Sequence, residues 1–230
     1  LRDPALPIFD MGNPINQGLV AAWPIYEGTG LNKVHDISPS NLHATMNNIV
    51  ESDWKKGHQG TKALNLNGTN GYLSVGSNLN LLRNTSGSTI STWIKTSGTQ
   101  PENWTWIVGV SANEESGTDK SRATIGISSY NQIQVGGRTV AGDNFQSRVT
   151  DQDSITNGTW YHLVGVIDYL NNNIKIYIDG KEKESFGPVS FSQSYTEDLV
   201  ATSTTIGADE TGTNFFYGEI SNVRIYERTF

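Results

Sequence analysis

The sequence contains no cysteine. No disulfide framework and no thiol nucleophile can exist, so the core alone must hold the chain together. At 230 residues that is feasible, since a chain of this size buries enough surface without covalent staples. Basic residues are scarce: 16 Lys and Arg stand against 23 Asp and Glu, giving a net charge of −7 and a pI near 5.0. That balance argues against a nucleic-acid partner, because phosphate binding needs a cationic face. It equally disfavours adhesion to anionic membranes. No apolar run approaches the ~18–20 residues that span a bilayer, so membrane insertion is not expected. No basic stretch leads into an apolar one as in a signal peptide, and the chain opens on Leu1 rather than Met. A 3.6-residue periodicity is missing too, with none persisting beyond about two turns.

What is present points to strands. The chain carries 24 glycines and many Asn, Ser and Thr, which punctuate a β-rich fold with turns. Strand-like segments are expected at 62–75, 88–96, 106–111, 122–128, 132–136, 160–169, 173–178, 204–207 and 218–226. Ile174, Ile176 and Ile178 alternate with Lys175, Tyr177 and Asp179, the two-residue period of a strand with one buried face. Asp179-Gly180 follows at once and predicts a tight turn. Short strands at regular spacing argue for a sandwich or barrel, and an all-β domain of about 200–250 residues commonly forms one unit. The predicted fold class is therefore an all-β, antiparallel two-sheet sandwich over residues 19–230. Residues 1–18 differ, with Pro4, Pro7 and Pro14 close together. They read as an extended arm, either a flexible leader or a segment docking on a neighbouring chain. Two long polar stretches, 112–121 and 141–158, are the loops where function would sit.

A series of segments resembles the laminin-G-like, concanavalin-A-like jelly rolls. Gly18-Leu-Val-Ala-Ala-Trp-Pro-Ile-Tyr-Glu-Gly-Thr-Gly30 is similar to that family's opening strand and turn, with Asn41-Leu-His-Ala-Thr45 after it. Ala63-Leu-Asn-Leu-Asn-Gly-Thr-Asn-Gly-Tyr-Leu-Ser-Val75 resembles the next hairpin, and Thr89-Ile-Ser-Thr-Trp-Ile-Lys95 a central strand. Gly158-Thr-Trp-Tyr-His-Leu-Val-Gly-Val166 and Ile174-Lys-Ile-Tyr-Ile-Asp-Gly-Lys181 resemble the long pair that follows. Gly218-Glu-Ile-Ser-Asn-Val-Arg-Ile-Tyr-Glu-Arg228 resembles the closing strand. The resemblance implies two antiparallel sheets with one concave face. The opening, Asn13-Pro-Ile-Asn-Gln-Gly-Leu-Val-Ala-Ala-Trp23, also resembles laminin-G-like proteins of tailed bacteriophages, which are virion-surface or tail components. The family includes lectins, adhesion modules, polysaccharide lyases and glycoside hydrolases, so the residues must decide among functions.

Catalytic constellations are thin. A retaining glycosidase needs two carboxylates about 5–5.5 Å apart, hence a spacing of two on a strand. Glu182 and Glu184 have that spacing but follow the Asp179-Gly180 turn and read as solvated. The histidines are His35, His43, His58 and His162, and His162, beside Trp160 and Tyr161, reads as packing. Gln132 and Gln134 alternate and could face a groove, but no lyase block accompanies them. No Gly-x-Ser-x-Gly elbow occurs.

Binding chemistry is better represented. The resemblance marks two Ca²⁺ places: Asn70 with Asp209 and Glu210, and the opening-turn acids Glu27 and Asp36. In the first, Thr69 stands where an acid would be; in the second, Ser221 replaces a closing-strand acid. Either Ca²⁺ is bound there or these are solvated turn residues. Sugar recognition needs flat apolar faces beside amide and carboxylate groups. Trp104 and Trp106 share a face by alternation, and Tyr130, Phe145, Tyr195, Phe215 and Phe216 lie in or near loops, as a binding rim or as caps on the sandwich edges. Trp23, Trp93 and Trp160 sit inside strands and read as core. Sequons at Asn67, Asn84, Asn103 and Asn157 matter only in a eukaryotic setting. The reading favoured is a non-catalytic carbohydrate-binding or adhesion module at a cell or particle surface, with a glycan or cell-surface polysaccharide as partner. Its alternative is a structural virion protein that meets neighbouring subunits through the arm, and the third reading is a polysaccharide lyase or glycoside hydrolase.

Overall fold

The computed structural model describes residues 10, 12–28, 32–76, 80–112, 121–140, 142–198 and 201–230. Most of the 1–18 arm and of the 112–121 loop fall outside them. Among the described residues there are seventeen strands: β1 (Leu19–Trp23), β2 (Lys33–Val34), β3 (Ala44–Asn47), β4 (Trp54–Lys56), β5 (Lys62–Asn67), β6 (Tyr72–Val75), β7 (Gly87–Thr96), β8 (Trp104–Ala112) and β9 (Ser121–Ser128) in the first half. The second half holds β10 (Ile133–Gly137), β11 (Gln146–Thr150), β12 (Tyr161–Asp168), β13 (Asn173–Ile178), β14 (Lys181–Lys183), β15 (Ser185–Phe186), β16 (Ala201–Ile206) and β17 (Tyr217–Tyr226). They form two antiparallel sheets. One has eight strands in the order β14-β13-β12-β7-β17-β5-β4, with β1 also on β17; the other has nine, β15-β11-β10-β9-β8-β16-β6-β3-β2. This is the expected two-sheet sandwich.

Alternation builds the core. β13 buries Ile174, Ile176 and Ile178 and half-exposes the residues between them, as its two-residue period requires. Asp179 and Gly180 both have positive φ (50° and 74°), which fits a tight hairpin turn into β14. The inner faces of both sheets meet in one apolar cluster that includes Trp23, Leu64, Ile94, Val108, Ile125, Leu163, Ile176 and Phe216. Gly165 lets the sheets approach closely: a Cβ there would lie 2.7 Å from a Val135 methyl.

Sequence and structure differ in three places. The segment 62–75 is two strands, β5 and β6, parted by a turn in which Asn67 Oδ1 accepts N–H bonds from Thr69, Asn70 and Gly71. The stretch 141–158 contains β11, whose half-buried residues Gln146–Val149 carry no clear alternation. Trp93 and Trp160 are not core. Both are half-buried, and Trp93 faces outward from β7 while Thr92 and Ile94 beside it are fully buried.

β17 carries a further feature. One edge pairs with β7 along its length; the other pairs with β5 over residues 217–220 and then with β1 over 223–226. Between them the register shifts, and Asn222 takes a positive φ of 52°. This is a β-bulge in the middle of a ten-residue strand.

Candidate functional site

The outward side of the nine-stranded sheet carries the aromatic residues. On β8, Thr105 is fully buried and Trp104 and Trp106 project half-buried to the other side. The Trp106 ring lies over Gly126 of β9, where a Cβ would come within 3.2 Å of it. Phe145, just before β11, lies over Gly136 of β10 in the same way, at 2.6 Å from where a Cβ would stand. Two glycines thus let two rings settle against the sheet. The rings meet edge to face, with centroids 5.9 Å apart and planes at 80°. The Arg138 guanidinium sits 5.1 Å from the Phe145 centroid, and its Nε donates to Asp143 O at 2.7 Å. Gln134 Nε2 donates to Ser147 Oγ at 3.1 Å across the same face. Next to Arg138 a cavity of about 170 Å³ opens between Asp143, Asn144, Gln146, Ser190 and Ser192.

The remaining candidates fall around this pair. Tyr130 is 60% exposed in the β9–β10 turn, joined to the Trp104 end of β8 by a bond from Ser129 N to Asn103 O. Phe215 packs on Tyr72 with centroids 5.9 Å apart. Phe216 is 0% exposed, packed in the core cluster, and offers no face to a ligand. Tyr195 is exposed in a separate segment, where Thr196 Oγ1 donates to Leu82 O. The sequence pattern did not single out Arg138, and nothing local would have, because its place depends on Phe145 across β10 and β11.

The carboxylates marked for Ca²⁺ are engaged by protein donors. Asp209 accepts from the N–H groups of Thr211 and Thr213, from both their hydroxyls, and from Asn214 Nδ2. Burial alone would raise its pKa, but these bonds, led by that from the Thr213 hydroxyl, outweigh burial and hold it below the usual carboxylate range. Asp36 accepts from Ala22 N, Ser38 N, Ser38 Oγ and Leu42 N. Glu27 accepts from Tyr26 N and His35 N, with His35 Nδ1 at 3.2 Å. Glu210 is half-buried beside Asp209, and Asn70 is exposed in the 67–71 turn with its Oδ1 taken by Asn67 Nδ2. Among the described residues no group of three or more His, Asp or Glu is placed to hold a metal. The donor sets therefore do not fit a resident Ca²⁺ as they stand. What Asp209 does is staple the 209–214 turn, and Asn214 O in turn receives the Trp106 N–H at 3.3 Å.

Histidine 162 packs as expected, and also does more. Its Nε2 lies 2.8 Å from Ser91 Oγ, and its ring stacks on Trp93 at 5.0 Å. His58 stacks on Trp93 as well, at 3.8 Å and 13°. Burial lowers the pKa of His162, against the opposing pull of Asp179.

A two-sheet antiparallel sandwich of this kind is the architecture of the concanavalin A-like jelly rolls. The family model described as the concanavalin A-like lectin/glucanases superfamily matches residues 67–230, and the chain belongs to that superfamily. Among curated proteins none matches this chain. Solved structures similar to it include the botulinum neurotoxin serotype D binding domain, at 18% identity and TM-score 0.64, covering 94% of this chain and 49% of that one. A structure of botulinum neurotoxin type C, a toxin whose cell entry is described as dependent on interaction with two ganglioside molecules, matches at 17% and 0.64, over 96% of this chain and 50% of that one. Trypanosoma rangeli sialidase in complex with sialic acid matches at 14% and 0.60, over 93% and 31%. The chain spans about half the length of the toxin domains and about a third of the sialidase. At these identities the likeness establishes the fold.

Proposed function

We propose that this chain is a non-catalytic carbohydrate-binding module that works at a surface, with its site on the outward face of the nine-stranded sheet. The observation that carries this is the Trp106–Phe145 pair held over Gly126 and Gly136. Such rings offer flat apolar faces to the C–H side of a pyranose, while Gln134, Arg138 and the polar cavity beside them supply hydroxyl partners. The superfamily contains lectins, and the type C toxin is described as interacting with gangliosides; both support the reading. An enzymatic reading has less support. The Ser91–His162 contact lies on paired strands, whose N–H groups serve the sheet ladder and leave no oxyanion hole beside the hydroxyl.

A broad glycan array tests the proposal, with the wild type beside Trp106→Ala. The wild type should bind one class of glycan. Trp106→Ala should bind it at least tenfold more weakly, on the order of 1.4 kcal/mol, while still melting cooperatively. Absence of binding by the wild type, or unchanged binding by the folded variant, would overturn it.

A further inference from the structure

The aromatic surface does not stop at Trp106. The turn that follows β16 runs beside the start of β8, where Trp106 N donates to Asn214 O at 3.3 Å. Phe215 comes next in the chain, and its ring packs on that of Tyr72 with centroids 5.9 Å apart and planes at 49°. Tyr72 faces outward from β6 because Leu73 beside it enters the core. Trp106 faces outward from β8 because Thr105 and Ile107 on either side are fully buried. The strands β6, β16, β8, β9 and β10 are successive neighbours in one sheet. Tyr72, Phe215, Trp106 and Phe145 therefore stand on one outer face, in a row that crosses the strands.

The row is long. Phe145 lies over Gly136 of β10 and Tyr72 stands on β6, four strand spacings away, which at about 4.8 Å each gives ~19 Å. All four rings are half-buried, so each keeps a surface for contact. Each is also held in place. Trp106 and Phe145 rest over Gly126 and Gly136. Tyr72 rests against Gly212, where a Cβ would stand 3.1 Å from its hydroxyl oxygen. Phe215 follows the turn that Asp209 closes, and Asn214 Nδ2 is one of the donors to that carboxylate. Rings fixed before a ligand arrives lose little freedom when it binds.

One sugar cannot use such a row. Ring centroids in aromatic contacts lie about 4.5–7 Å apart, so ~19 Å accommodates about four rings, and an extended chain of joined pyranoses repeats at a comparable spacing. Each unit can then lay its C–H face on one aromatic ring. The chain carries a net charge of −7, which repels a polyanion at long range and leaves a neutral polymer unaffected.

We propose that the site takes an uncharged, linear oligosaccharide lying across the strands from Phe145 to Tyr72, with about four sugar units in contact. This rests on the carbohydrate-binding reading above and adds the length and direction of the bound glycan.

Gluco-, xylo-, manno- and chito-oligosaccharides of one to six units can be titrated into the full chain by calorimetry. In one of these series, affinity should rise about tenfold from the disaccharide to the tetrasaccharide and level off by the hexasaccharide. Phe215→Ala and Tyr72→Ala should bring the tetrasaccharide down toward the disaccharide, and Trp106→Ala should weaken every length. A cooperative melt shows that each variant is folded; if Phe215→Ala is not, Tyr72→Ala decides. No binding by any of the four series, equal affinity at every length, an affinity still climbing steeply at six units, or the full rise in a folded Phe215→Ala or Tyr72→Ala variant refutes the proposal. Array capture that needs Trp106, with fragments binding alike at every length, leaves the carbohydrate reading standing and this one refuted. No capture by the wild type refutes both.

Discussion

At the residue scale the strongest lesson comes from Asp209. A carboxylate in a loop of this family invites a metal, yet here its two oxygens gather five donors from its own turn. Asp209→Ala would leave those donors without a partner. Partial access to water softens the loss, which should be on the order of 2–3 kcal/mol in urea denaturation. Asp209→Asn keeps one carbonyl acceptor and should lose less than half of that. Because the folded pKa is depressed, this stabilisation is present above the ordinary carboxylate value and disappears as pH falls through the folded one. An alanine variant as stable as wild type would mean that the turn holds without Asp209. The same scale shows where sequence reading stopped. Phe215 and Phe216 stand next to each other just before β17, and the chain sends them different ways: Phe215 meets Tyr72 and Phe216 enters the core. Neither lies in a strand, so no alternation says which goes where; Phe216 N donates to Gly207 O at 3.0 Å, a tie with no local signal. Trp106 was legible from its alternation with Trp104, but its seat on Gly126 joins residues 20 apart and has no local signal.

At the element scale, the outer face of the eight-stranded sheet is tied by the stack His58–Trp93–His162, which joins the turn His58–Gly60 to β7 and β12. The phase of Ile90 and Ile94, both core, already placed Trp93 on the opposite side of β7; hydrophobicity alone misleads there. The stack gives stability a pH dependence. Burial lowers the pKa of His162, and burial together with His35 lowers that of His43, whose Nδ1 accepts from Asp36 N. Both are disfavoured as cations in the fold. The unfolded chain then takes up more protons, and stability falls as pH drops below 6.5, the ordinary value, toward the folded values. Glu227, raised by burial, works in the opposite sense closer to its ordinary 4.5. Thermal melts at pH 7.5 and 5.5 should show a loss for wild type that is smaller in His162→Gln and smaller again with His43→Gln added. An identical loss in all three would place the titration elsewhere.

At the scale of the whole molecule, the sandwich was legible because its information is local and repeated: alternation in β13, a tight turn at Asp179-Gly180, and short strands between turn residues. The exchange of β5 for β1 along one edge of β17 was not, because it arises where two strands share one neighbour and a bulge lies between them. There is no cysteine, and among the described residues no acid cluster is arranged for a metal. The apolar cluster between the two inner faces is what the described residues offer for stability, and the expected outcome is that neither reductant nor chelator moves it. The size of the alternative makes the test decisive. A site filled to 100 times its Kd would stabilise by about 2.7 kcal/mol. In a domain of this length each kcal/mol shifts Tm by roughly 2–4 °C, so a resident Ca²⁺ would raise Tm by about 5–10 °C. Melting in 1 mM Ca²⁺ and in excess EDTA should give the same Tm, and glycan capture should be equal in both. A Tm lower in EDTA by several degrees would return the metal to the molecule, and its disappearance in Asp209→Asn but not in Glu27→Gln would say at which end of the sandwich it sits.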